Sequence, residues 1–206
     1  MPDFNLEDEN TGIVAGVDEA GRGPWVGPVV AGCAVFLNRH VDKQLLDNLN
    51  DSKKLSKKKR EMLYELLQIE AQKGNMKIGI GEASAQEIDE INILNASFLA
   101  MRRAIQAAKV EPNVVLVDGN RLPKITKYPA RAVIKGDAKS YSISAASILA
   151  KVYRDRMMEK MALQYPHYGF EKNAGYGTKE HIEGLKKYGV TPEHRRSYAP
   201  IKEMLK

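Results

Sequence analysis

Apolar and polar positions fall in short blocks along the 206-residue chain, and each block predicts an element. "GIVAG" reads as a short buried strand ending at Asp18 and Glu19. "VVAGCAVFL" reads as a second strand beyond Pro24 and Pro28, which cannot continue a helix. A glycine-rich turn lies between them. In "KKKREMLYELLQIEAQ", Met62, Leu63, Leu66, Leu67 and Ile69 or Glu70 recur at helical spacing, with Ser56 placed to cap the helix and Gly74 to close it. "MKIGIGEA" alternates as a strand does. Ser84 and Glu87 have the spacing of a capping box, opening a helical region that is renewed near Asn95, carries Phe98, Leu99, Met101, Ile105 and Ala108, and stops at Glu111-Pro112.

"VVLVD" is an apolar strand ending on Asp118, and "RAVIKGD" a shorter one ending on Asp137. The long helix "SYSISAASILAKVYRDRMMEKMALQ" follows, its small residues suited to close packing on a sheet. Thr178 caps "KEHIEGLKKYG", and Thr191-Pro192 opens a further turn or short helix. This order of strands and helices predicts an α/β layer structure with a mixed sheet. No repeat, low-complexity tract or linker interrupts it.

Composition narrows the setting. The longest apolar run, "PVVAGCAVFL", is about half the roughly 20 residues that cross a bilayer, and the N-terminus is acidic, so the expectation is a soluble, untargeted, cytoplasmic chain. Cys33, the one cysteine, lies in that run and reads as a small hydrophobe. The net charge of +6 is bunched in "SKKLSKKKR" and again at "HRRS", which fits either a polyanion partner or a solvated helix face.

The acids carry the candidate chemistry. In an open α/β sheet, ligands gather outside the carboxyl ends of the strands, so Asp18, Asp118 and Asp137 can converge there, and Glu19 arrives with Asp18. Taken singly, each is equally a turn former or helix cap. Together they would repel and raise one another's pKa unless a cation compensates, and hard oxygen ligands favour Mg²⁺ or Mn²⁺. Two such ions roughly 3.5–4 Å apart clamp the attacking and leaving oxygens of a phosphodiester. Consecutive strand residues face opposite ways, so Asp18 and Glu19 reach one site only where the strand ends, twists or bulges.

"GRGPWVG" is not a dinucleotide fingerprint, because a strand follows it, and the chain has no P-loop and no Gly-x-Ser-x-Gly elbow. Its glycines allow a close approach of backbone amides and Arg22 to a sugar or phosphate, or else make a tight turn. His40, His167, His181 and His194 are scattered and read as surface residues. Asp155 is expected to pair with Arg154, Arg156 or another basic neighbour.

Five motifs in order, "GVDEAGRGP", "DSKKLS", "VDGN", "KGDAKSYSISAASILAKVYRD" and "GYGTKEH", resemble those of the bacterial ribonuclease HII family over nearly the whole chain. The resemblance implies a ribonuclease H-like fold over residues 1–206, a five-stranded mixed sheet flanked by helices, with a small helical extension over roughly 165–206. It implies catalytic, metal-binding Asp18, Glu19, Asp118 and Asp137, and a two-ion Mg²⁺ or Mn²⁺ site. It implies an endoribonuclease acting on RNA/DNA hybrids and 5′ of ribonucleotides in duplex DNA, leaving 3′-hydroxyl and 5′-phosphate ends. Gly21, Arg22 and Gly23 would contact the ribonucleotide, Tyr176 the adjoining deoxyribose, and Lys53 and Lys54 the phosphates. A monomer is expected. Two other readings stay open at this point: another nuclease of the same fold, and a hybrid-binding protein without activity. Trp25 stands where a smaller or aliphatic residue is expected, with packing and substrate contact both open.

Overall fold

The structure, a computed structural model, describes residues 1–122 and 127–206. Its strands are β1 (Val14–Ala20), β2 (Val29–Phe36), β3 (Met76–Ala83), β4 (Val114–Asp118) and β5 (Ala130–Val133). They form one mixed sheet in the order β3-β2-β1-β4-β5, with β2 antiparallel to both β1 and β3, and β4 and β5 parallel to β1. The helices are α1 (Asn5–Asp8), α2 (Lys43–Asn48), α3 (Lys57–Gln72), α4 (Ala85–Ala107), α5 (Tyr141–Gln164), α6 (Phe170–Asn173), α7 (Lys179–Tyr188) and α8 (Ala199–Met204). None is long and apolar enough to cross a membrane among the described residues.

Strand alternation divides the core in two. Ala15 and Val17 of β1 join Val115 and Val117 of β4 against α4, through Ala96, Ala100 and Ala104. On the other face Ala34 packs with α3 and α5, while Val14 and Leu116 meet Ile143 of α5. Helix α5 lies so close to the sheet that glycines are required beneath it. A Cβ on Gly16 would stand 2.3 Å from the Ser142 carbonyl carbon, and one on Gly32 2.2 Å from the Ala146 carbonyl oxygen.

The predicted caps form: Ser56 accepts from the Lys59 amide, Ser84 and Glu87 close a capping box, and Thr178 accepts from the His181 amide; the structure adds Ser140, which accepts from the Ile143 amide at the head of α5. The renewal expected near Asn95 is a kink at Asn92, whose φ is 66° and whose Oδ1 accepts from the amides of Leu94 and Asn95. Of the alternative positions 69 and 70, Glu70 turns inward, where it accepts from Lys73 and Asn75, and Ile69 stays exposed.

Two histidines depart from the sequence expectation. His181 and His194 are buried, in the cluster of Val26, Tyr168, Phe170 and Leu185 beside α5. Their polar atoms form one directed chain. The Thr191 amide donates to His194 Nδ1 at 3.0 Å, so a neutral His194 carries its proton on Nε2. That proton is donated to His181 Nε2 at 3.0 Å, and His181 Nδ1 donates to the Tyr176 carbonyl at 2.9 Å. Burial holds both imidazoles neutral, His194 down to about 4 with help from its partner. Periodicity does not reveal this, since neither histidine lies on an apolar repeat.

Two outcomes follow from this packing. Gly16→Ala loses about 3 kcal/mol or more of unfolding free energy in a denaturant titration, because the new methyl meets backbone that cannot yield. An unfolded histidine protonates near pH ~6.5. Folded His194 resists to about 4, so the unfolded state takes up more protons as pH falls and stability is lost across that window. The thermal midpoint of the natural chain therefore drops further between about pH 7 and 5 than that of His194→Phe, which lacks this group.

Candidate active site

The cleft at the carboxyl end of the parallel strands has a volume of about 780 Å³ and is lined by Asp18, Glu19, Asp118, the loop Gly21–Arg22–Gly23, Lys53 and Tyr176. It is also walled by α4, through Leu94, Phe98 and Met101, and by α5, through Ser147, Lys151 and Arg154. Because the cleft wraps the end of the sheet and is walled from both layers, acids that alternate in direction can both line it.

The strand does not end at the acids as expected. β1 stays paired with β2 to Ala20↔Val30, while its pairing with β4 stops at Val17↔Val117. The parallel strands part at Asp18 and Asp118, and the acids occupy the opening. β4 does end on Asp118, but β5 ends at Val133. Asp137 lies beyond, on a 3-10 turn (Gly136–Ala138) entered through Lys135 in the left-handed region with φ 55°. Asp118 Oδ1 accepts from the Gly136 amide at 2.7 Å and so tethers that turn to the sheet end.

The acids feel one another. Burial first, then the charges of Glu19 and Asp118, raises the Asp18 pKa well above the usual carboxylate range, against the hydrogen bonds of the Ser147 hydroxyl and the Glu19 amide. Burial likewise raises Glu19, opposed by Arg22, whose Nη1 lies 3.2 Å from its Oε1. Asp137 is raised by burial, then by Asp118 and Asp51. Lys53 counters at both Glu19 and Asp137.

Asp51 is the acid the sequence reading passed over as a site residue. Its Oδ1 caps the 3-10 turn Ser52–Lys54, while its charge faces Asp137; the only signal was its place at the head of "DSKKLS". Lys54 diverges from Lys53: it is exposed, 3.9 Å from Asp51, and does not line the cleft. Asp155 pairs with Lys151 at 2.6 Å and Arg60 at 3.7 Å, the basic neighbours left open by the sequence.

Loop and tyrosine meet across the cleft. A Cβ on Gly23 would stand 3.3 Å from Tyr176 Cε1, and Tyr176 keeps 54% of its surface open. Trp25 packs and does not line the cleft: its indole covers Gly177, where a Cβ would come within 2.0 Å of the ring, and its centroid is 5.6 Å from that of His181.

Hard carboxylate oxygens, mutually raised and partly offset by one lysine and one arginine, suit a divalent cation of the Mg²⁺ class. Among the described residues no group of three or more acids, histidines or cysteines is gathered as a ready-made cage.

A family model described as Ribonuclease HII matches residues 15–201. Ribonuclease HII of Paramagnetospirillum magneticum is 53% identical over 205 residues, covering 100% of this chain and 99% of its own. The crystal structure of ribonuclease H2 from Pyrococcus horikoshii superposes with a TM-score of 0.71 at 31% identity, over 94% of this chain and 97% of the other. Bst-RNase HIII in complex with Mn²⁺ shares the fold at a TM-score of 0.67 and 17% identity, over 94% and 69%. The five-stranded mixed sheet with its flanking helices is thus the ribonuclease H-like fold, and the chain belongs to the ribonuclease HII family.

Proposed function

We propose that the chain is a metal-dependent endoribonuclease that hydrolyses the RNA strand of RNA/DNA hybrids and cuts 5′ of ribonucleotides embedded in duplex DNA. Family membership supports the ribonuclease H activity. The observation that carries the finer reading is the meeting of Asp18, Glu19 and Asp118 with the glycine-arginine-glycine loop and Tyr176 in one cleft. Roles in ribonucleotide removal and RNA primer clearance follow from that substrate class.

Asp18, Glu19, Asp118 and Asp137 would hold the ions, Mg²⁺ or Mn²⁺. Bound there, the ions supply Lewis-acid stabilisation of charge at the phosphate and a water nucleophile at neutral pH. Support comes from the raised carboxyls, which a cation would relieve, and from the Mn²⁺ complex of the fold relative Bst-RNase HIII. With water as the attacking group the 2′-hydroxyl serves recognition, and the ends are a 3′-hydroxyl and a 5′-phosphate.

The chain's own residues then orient the duplex. Gly21, Arg22 and Gly23 approach the ribose closely, and the 2′-hydroxyl is the group by which a protein tells RNA from DNA. Tyr176 lies beside Gly23 with about half of its surface open, and would meet the neighbouring deoxyribose. Lys53 reaches the phosphates while balancing Glu19 and Asp137. Lys54 contacts phosphate from outside the cleft. Such contacts position the duplex without reading its sequence.

A duplex with one ribonucleotide is cut in magnesium on its 5′ side, and EDTA stops the reaction; metal-independent cutting or a 2′,3′-cyclic phosphate end contradicts the mechanism. Asp18→Asn lowers kcat by about a hundredfold or more, on the scale of losing a transition-state charge contact, and keeps duplex affinity. In EDTA the same substitution raises the thermal midpoint, because it removes a buried carboxyl crowded by like charge.

A further inference from the structure

The basic cluster "HRRS" reads from sequence as a polyanion contact or a solvated face, yet Arg195 is fully buried. Its guanidinium is engaged inside the protein: Nη2 donates to the Gly21 carbonyl at 2.6 Å, Nη1 to the Arg22 carbonyl at 3.0 Å, and Nε to the Gly27 carbonyl at 2.9 Å. Nη1 also donates to the Tyr198 hydroxyl at 3.0 Å, which in turn donates to the Arg22 carbonyl at 2.5 Å. The backbone repeats the clasp, since the Arg195 amide donates to the Trp25 carbonyl at 2.8 Å and the Gly27 amide to the Glu193 carbonyl at 2.9 Å. An ion buried this way is costly unless its hydrogen bonds are complete, so the guanidinium fixes the loop as firmly as the loop satisfies it.

The direction of these bonds has a stereochemical consequence. The described peptides are trans, and in a trans peptide the carbonyl of one residue and the amide of the next point opposite ways. Drawing the carbonyls of Gly21 and Arg22 toward Arg195 turns the amides of Arg22 and Gly23 away from it. Those residues line the cleft. Among the described residues neither amide has an acceptor. The arrangement requires glycine at 21, because its φ is +92° and a Cβ would stand 2.0 Å from Arg154 Nε. Arg154 is itself buried and bonded to the carbonyls of Val26, Pro28 and Ala174, closing the loop from the α5 side.

We infer that Arg195, assisted by Tyr198, is the positioning residue of the ribose-reading loop: it holds the carbonyls of Gly21 and Arg22 inward, so that the Arg22 and Gly23 amides face the cleft as paired donors for a substrate oxygen. The inference rests on the reading that this loop contacts the ribonucleotide. Arg195 touches no substrate. Lysine cannot replace it, because a single ammonium lacks the planar fork that reaches three carbonyls and a hydroxyl at once.

The test uses the full chain, a duplex carrying one ribonucleotide as substrate, and the same duplex in all-DNA form as competitor. For Arg195→Lys, kcat/KM on the ribonucleotide duplex falls about tenfold or more, the factor expected for losing a charge-assisted hydrogen bond. Tyr198→Phe, which removes one hydroxyl from the same clasp, loses less. The inhibition constant of the all-DNA duplex stays within about twofold, since no group that meets phosphate has changed. Thermal melts show whether each variant is folded at the assay temperature, and if Arg195→Lys is not, Tyr198→Phe decides. Unchanged kcat/KM in the folded variants overturns the inference. So does an inhibition constant that rises in step with the loss, which marks a general role in duplex binding or in the fold. A natural chain that fails to cut the ribonucleotide duplex contradicts the proposed function itself and takes the inference with it.

Discussion

The close approach of α5 to the sheet is the constraint from which the rest follows. It depends on hydrogen in place of a side chain at Gly16 and Gly32, over the backbone of Ser142 and Ala146. Only at that separation can one helix serve three tasks along its length. Ser147 supports the Asp18 carboxyl, Lys151 walls the cleft, and Arg154, one turn further along, ties down the loop that follows the acids. A helix seated further out would leave the acids wet and the loop loose. The packing layer and the site are therefore one construction.

The acids reach the sheet end by routes their sequence neighbours do not suggest. β1 runs on past the acid pair because β2 stays bonded along one side to Ala20, while its pairing with β4 stops at Val17. Asp137 comes by a different route, on a turn tethered by the Asp118 carboxylate. Charge repulsion is thereby concentrated at the sheet end, with Lys53 and Arg22 as the cations that moderate it.

Much of this was legible in the sequence because the signals are local. Alternation marked the strands, and side-chain oxygens at Ser56, Ser84 and Thr178 marked where helices begin. The meeting of Asp18, Glu19 and Asp118 followed from a general property of parallel strands. What was not legible depends on side chains far apart in the chain. The left-handed Lys135 that takes Asp137 off its strand has no glycine to announce it. His181 and His194 look like surface residues until their ring nitrogens are found 3.0 Å apart. Arg195 looks like surface charge until carbonyls more than 160 residues away are seen to surround it.

The indole of Trp25 lying over Gly177 ties two distant positions together. The ring occupies the volume that any side chain at 177 would need, and without the ring the backbone there would lie over a void. With tryptophan at 25 no side chain fits at 177, so a larger residue at 177 demands a smaller one at 25. In this chain, then, the residue after the glycine-arginine-glycine-proline turn decides what the tyrosine-bearing segment can tolerate.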